Sequence, residues 1–150
     1  MAGSFAALYY HIVFSTKDRV LLLTPDIAPR VYEYISGVIR SQGGIPIIVN
    51  GVEDQVHVLA ALNKNVAVIA SIGDFKRNTT KWIHDTFPDL RHFAWQSGYG
   101  AFTVSVTGLD RVRNYISNQK EHHSKVTFQD ELIEFLQIHN IEYDEKYIWK

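Results

Sequence analysis

The sequence predicts an α+β fold, a ferredoxin-like β-α-β-β-α-β antiparallel sheet followed by C-terminal helices. Three observations lead there. Four short runs are rich in aromatic and β-branched residues. Two longer segments between them repeat their apolar residues at helical spacing. A turn of only a few residues joins the second and third runs, which marks a hairpin.

Taken in order, Tyr9 to Thr16 (YYHIVFST) reads as the first strand. A helix is expected from Pro25, with Thr24 as its N-cap. Its stripe is Ile27, Val31, Tyr34, Ile35 and Val38, and Gly43-Gly44 stops it. Ile45 to Val52 and Val56 to Leu62 are the hairpin strands, with the turn near Gly51 to Asp54. A long helix is expected from Val66 to about Phe87, bent near Gly73 and ended by Pro88. Tyr99 to Val106 is the fourth strand, with Ala94 to Gln96 leading into it. Leu109 to His123 reads as one helix. A last helix starts at Thr127, where Thr127 and Asp130 resemble a capping box. The final ten residues read as a polar and aromatic tail.

The 150 residues fit one domain, and 46% hydrophobic residues suffice for a core. The absence of cysteine excludes disulfides, thiolate catalysis and cysteine-bound zinc. The N-terminus has no basic leader segment, and no stretch is apolar for the ~18 residues a membrane span needs. A soluble, cytoplasmic protein without membrane contact is expected. The net charge of −1 hides an asymmetry. Lys64 to Arg91 carries five basic residues against three Asp, whereas Val126 to Lys150 carries six acids against two lysines. A local basic surface is compatible with the near-zero total. There is no P-loop, G-x-G-x-x-G, G-x-S-x-G or H-E-x-x-H, so a nucleotide cofactor and the common hydrolase chemistries lack support.

Two places carry candidate chemistry. In Gln55-Val56-His57, strand alternation puts Gln55 and His57 on one face. An amide oxygen and an imidazole nitrogen two residues apart can reach one ion, or they can be the polar side of a half-buried strand. In Tyr115-Ile116-Ser117-Asn118-Gln119, Tyr115 and Gln119 are four apart on one helical face, with His122 seven from Tyr115. Tyr115 is either core or a nucleophile beside a metal-held phosphate. His122 and His123 point about 100° apart on a helix and are expected at its C-terminus rather than on one ion. Lys76, Arg77, Lys81 and Arg91 are the candidate phosphate contacts, or else a solvated helix face. Trp82, Trp95, Tyr99 and Phe102 are either base-stacking groups or core.

Together these segments resemble the insertion-sequence transposases of the HUH single-tyrosine class, which include the REP-associated tyrosine transposases. The resemblance rests on YYHIVFSTKDR, GVEDQVHVLAAL, FKRNTTKWIHDTFPDLRHFAWQSGYGAFTVS and, most specifically, LDRVRNYISNQKEHH. It implies Tyr115 as nucleophile, His57 and Gln119 as ligands of Mg²⁺ or Mn²⁺, and Gln55 where the family has its first histidine. It further implies cleavage and rejoining of single-stranded DNA at hairpin ends through a 5′-phosphotyrosine, by a homodimer. Two alternatives stay open: a relative that binds hairpins without cutting because of Gln55, and an RNA-binding ferredoxin-like module using sheet aromatics.

Overall fold

Strands β1 (Tyr9–Ser15) and β3 (Gln55–Ala61) form the middle of a four-stranded antiparallel sheet ordered β2-β3-β1-β4. This computed structural model describes residues 3–146 and 148. Strand β2 (Ile45–Val52) and β4 (Gly100–Val104) are the edges. The register sets Val13 opposite His57 and Ser15 opposite Gln55. The expected α+β, β-α-β-β-α-β order with C-terminal helices is the one observed.

The sheet's two faces differ because alternate residues differ. Ile12, Phe14, Val56, Val58 and Ala60 point to one face and are fully or almost fully buried there. Helix α1 (Ala28–Ser41) covers them with Val31, Ile35, Val38 and Ile39, one stripe at helical spacing. Helix α2 (Val68–Thr86) adds Ile72, Phe75 and Ile83. On the other face stand His11, Val13, Gln55 and His57, all buried. Over that face lie α3 (Leu109–Ser117), α4 (Gln119–His122) and α5 (Phe128–Ile138). A small apolar patch of Val13, Phe102, Phe128 and Leu132 seats α5 there.

Several boundaries differ from the sequence expectation. Helix α1 starts at Ala28, not Pro25, and its N-cap is Ile27. Thr24 instead begins a turn, its carbonyl accepting from Ile27 and Ala28, so Pro29 is the proline inside the first turn. Gly43, at φ +87°, ends α1 as expected. Helix α2 runs unbroken through Gly73. Trp95 makes only an isolated bridge to Thr16 and is not part of β4. The expected helix from Leu109 to His123 breaks at Asn118 (φ −100°, ψ 21°), giving α3 and α4. Thr127 does cap α5, accepting from the Asp130 backbone N–H at 3.2 Å. In the C-terminal tail, 141–146 form no helix or strand. Tyr147, Trp149 and Lys150 lie outside the described residues, as do Met1 and Ala2 of the N-terminal segment read above.

Phe14 is fully buried against Phe75 and Trp95, with ring centroids 6.0 and 4.8 Å away. Phe14→Ala should therefore cost about 3–5 kcal/mol of unfolding free energy in urea titration. Phe5, which is 96% exposed, should tolerate the same change within about 0.5 kcal/mol. Equal effects at the two positions would contradict this placement of the core.

Candidate active site and metal centre

The polar side of the sheet becomes a site because three helices close over it. Gln55 and His57 share that face, as alternation predicts, and both are fully buried. The Asn50 amide on β2 donates to the Ile116 carbonyl at 2.9 Å and so ties the end of α3 to the sheet. This sets Tyr115 beside His57, with ring centroids 6.0 Å apart. The break at Asn118 then turns the chain so that Gln119, His122 and His123 all face inward. Finally α5 supplies Glu131, whose carboxylate is almost fully buried.

Glu131 is the hub. Its Oε1 lies 3.0 Å from His57 Nε2. Its Oε2 lies 3.0 Å from His123 Nε2 and 3.2 Å from His122 Nε2, and it accepts from the Tyr115 hydroxyl. Tyr115 Oη is also 3.0 Å from His122 Nε2. Behind His57, the His11 Nε2 meets His57 Nδ1 at 2.8 Å. That contact fixes the His57 ring and leaves its Nε2 aimed at the carboxylate.

The electrostatics follow from burial and this hub. Burial alone would raise the Glu131 carboxyl, but hydrogen bonds from His123, His57 and Tyr115 outweigh it and hold the group well below the usual carboxylate range. Burial lowers His57, only partly opposed by Glu131. For His123, burial lowers but Glu131 wins, so the net shift is upward. Burial and then the neighbouring carboxylate push the Tyr115 phenol above its ordinary value. Burial, with help from His57, pushes His11 down to about 3. The metal-free site thus favours an ionised Glu131, with His57 and His11 neutral.

The donor chemistry suits a divalent cation. His57, His123 and Glu131 offer ligand atoms within 4.8 Å of one another. Gln119 Oε1 faces the same space. Two buried polar atoms there, Gln55 Oε1 and Gln119 Nε2, have no hydrogen-bond partner. Orphaned polar atoms are rare in interiors and mark a place where another group belongs.

Three of these residues were missed or discounted in the sequence. His11 has no motif, and only the strand register reveals it. His123 was expected to point away from His122. The Asn118 break and the approach of α5 bring both imidazoles to one carboxylate instead. Glu131 did leave a signal: it sits on the apolar stripe with Phe128, Leu132 and Phe135, where an acid is out of place.

The remaining candidates lie elsewhere. Lys76 is buried on α2, and its ammonium donates to the carbonyls of Gln96 and Gly98, each at 2.9 Å. Burial pulls its pKa down to about 8. It is a strut for the segment before β4, which corrects the expectation of a phosphate contact. Arg77 pairs with Asp74, and Lys81 with Asp85 at 3.7 Å, both on the exposed side of α2. Arg91 is exposed after Pro88–Leu90. Helix α2 packs on the sheet face opposite Tyr115, so these cations are not gathered at the site. The aromatic candidates pack against other rings: Trp82 stacks on Tyr34 at 4.5 Å, Trp95 meets Phe14 and Phe93 edge-on, and Phe102 tilts against Phe135 and stacks on His139. With Phe102 covered, the sheet offers no open platform for RNA bases there.

A tyrosine hydroxyl thus stands beside a set of metal-competent ligands, on a ferredoxin-like sheet. That combination is chemically able to support nucleophilic attack beside a bound cation. The family described as "Transposase IS200 like" matches residues 4–119, and the chain belongs to that family. Membership places it among DNA-cleaving, strand-transferring proteins. No curated protein matches it. Among solved structures, a candidate transposase from Deinococcus radiodurans R1 is similar with a TM-score of 0.64 and 21% identity, over 79% of this chain and 96% of that one. A REP-associated tyrosine transposase bound to a REP hairpin is similar with a TM-score of 0.60 and 14% identity, over 84% of this chain and 76% of that one. His123 and Glu131 fall beyond the residues that the family matches. Among the described residues, no helix is long and apolar enough to cross a membrane.

A pH prediction follows from His11. Its folded pKa lies below its ordinary value of 6.5, so the unfolded chain takes up the proton first as pH falls. The associated stability is full above pH 6.5 and is lost progressively toward pH 3, by up to about 1.4 kcal/mol per pH unit. His57 acts in the same direction, whereas His123, with its raised pKa, opposes it. Between pH 7 and pH 5, the unmodified protein should lose about 2 kcal/mol more than His11→Gln, read from urea midpoints. Parallel losses would show that His11 is not buried as a neutral ring.

Proposed function

We propose that the chain is a single-tyrosine transposase that cuts and rejoins single-stranded DNA at hairpin ends. The observation that carries this reading is the shared carboxylate: Glu131 binds the Tyr115 hydroxyl and faces His57 and His123 at the same time. In the cutting step, Tyr115 Oη forms a bond to the scissile phosphorus as the bond to the 3′ oxygen breaks. The phenolic proton, donated to Glu131 Oε2 in the resting site, passes by way of that carboxylate to His122 Nε2, 3.2 Å from it, and the departing 3′ oxygen takes up a proton from water. The products are a 5′-phosphotyrosine and a free 3′-OH. Rejoining is the reverse attack by a 3′-OH and needs no ATP, because the phosphotyrosine keeps the bond energy.

His57, His123 and Glu131, with Gln119 beside them, are the residues that would hold Mg²⁺ or Mn²⁺. The bound cation would supply charge neutralisation at the phosphate. Both metals prefer oxygen donors, which Glu131 and Gln119 provide. Gln55 stands where the resemblance implies the first ligand of the strand. Arg77, Lys81 and Arg91 would contact phosphates of flanking DNA, away from the cut. The homodimer is supported by the resemblance of the sequence, and the hairpin substrate also by the similar structure whose own ligand is a REP hairpin. A second reading, hairpin binding without cutting, is favoured by one observation, the glutamine at position 55.

Tyr115→Phe should abolish the covalent protein–DNA adduct on a denaturing gel, while hairpin affinity stays within about threefold, since only a hydroxyl is lost. Tyr99→Phe should leave adduct yield unchanged. Adduct formation by the Tyr115 variant would move the nucleophile elsewhere. No adduct from the unmodified chain on any hairpin tested would favour the binding-only reading.

A further inference from the structure

Gln55 is not placed like a ligand. Its amide nitrogen sits in the midst of the atoms that would hold a cation: 2.7 Å from His123 Nε2, 2.9 Å from His57 Nε2, 3.0 Å from Glu131 Oε1 and 3.3 Å from Gln119 Oε1. An amide nitrogen has two hydrogens, so at most two of these four contacts can be satisfied by donation at once. Its oxygen, Oε1, is the atom that a metal would use, and it is buried and without a partner. Turning the amide over would set that oxygen against the Glu131 and Gln119 oxygens. Turned that way the oxygen would still accept from the two imidazoles, so in either orientation the terminal atom of the amide stands within 3.3 Å of all four ligand atoms, where a cation would sit.

We propose that Gln55 is a plug: its carboxamide occupies the cation position within the His57, His123, Glu131 and Gln119 ring. The partial positive charge on its N–H groups substitutes weakly for the ion. A cation entering the ring must expel the side chain rather than recruit it. The backbone gives no room for another solution, because the hairpin is tight at this point. A Cβ placed on Gly51 would fall 2.1 Å from the Gln55 carbonyl oxygen. Expulsion therefore means rotation of the side chain alone. The glutamine that replaces the family's first histidine thereby turns from a missing ligand into a competitor for the site. Glu131, from a helix beyond the family's matched residues, supplies an anionic donor to a ring that has Gln55 where the family has its first histidine.

This inference rests on the ligand set proposed above, and the test separates the two. Mn²⁺ binding to the full-length, DNA-free protein would be measured by calorimetry for the unmodified chain, Gln55→Ala, Gln55→Ser, and Gln55→Ala combined with Glu131→Gln. Circular dichroism would confirm folding of each. The plug predicts Mn²⁺ affinity at least tenfold tighter in both single variants, about 1.4 kcal/mol, and loss of that gain in the double variant. Weaker or equal affinity in both single variants, with the unmodified chain binding Mn²⁺, would overturn the plug and make Gln55 a ligand or bystander, leaving the ligand set standing. Absence of binding in every variant would overturn both. A gain that survives Glu131→Gln would also overturn both, because the ion would then lie outside this ring.

Discussion

The buried carboxylate of Glu131 is the constraint on which the site depends. A lone ionised carboxylate in an interior is costly, and it persists only where enough donors compensate it. Here those donors come from three separate parts of the chain: Gln55 and His57 on β3, Tyr115 on α3, and His122 and His123 around α4. The hub therefore does two things. It locks three short helices to the sheet, which their small apolar patch of Val13, Phe102, Phe128 and Leu132 would hold less specifically. It also gathers the Tyr115 hydroxyl and a set of metal-competent side chains around one charge.

That arrangement is possible because the sheet divides its labour. One face carries the apolar core under α1 and α2 and supplies most of the hydrophobic burial. The other face can then bury His11, Gln55, His57, Gln119 and Glu131, a composition that would not sustain a core alone. His11 shows the economy of the design. It has no place in the ligand ring, yet its contact at 2.8 Å decides which nitrogen of His57 looks into that ring. Glutamine 55 shows its vulnerability, since a single side chain of the right length can fill a space shaped for an ion.

The sheet, its order and the hairpin were legible in the sequence, because period-two patterning and turn residues are local signals. The shared face of Gln55 and His57 and the nearness of Tyr115 followed from alternation and from the family resemblance. What could not be read was long-range. His11 joins the site through a strand pairing 46 residues apart in sequence. Glu131 joins it through the way α5 docks, and nothing local fixes that docking. The kink at Asn118 hides under a continuous helical pattern, and it is the kink that redirects His123. Lys76 failed for the opposite reason: a lysine among polar neighbours reads as surface, but two carbonyls claim its ammonium.

A carboxylate from the last helix, not the amide at position 55, would anchor a cation in this site. Anomalous diffraction from crystals equilibrated with excess Mn²⁺ tests it most directly. The account predicts one anomalous peak bounded by His57, His123 and Glu131, with the Gln55 side chain rotated out of the ring. A peak bounded by Gln55 and His57, with Glu131 turned away from it, would contradict the account.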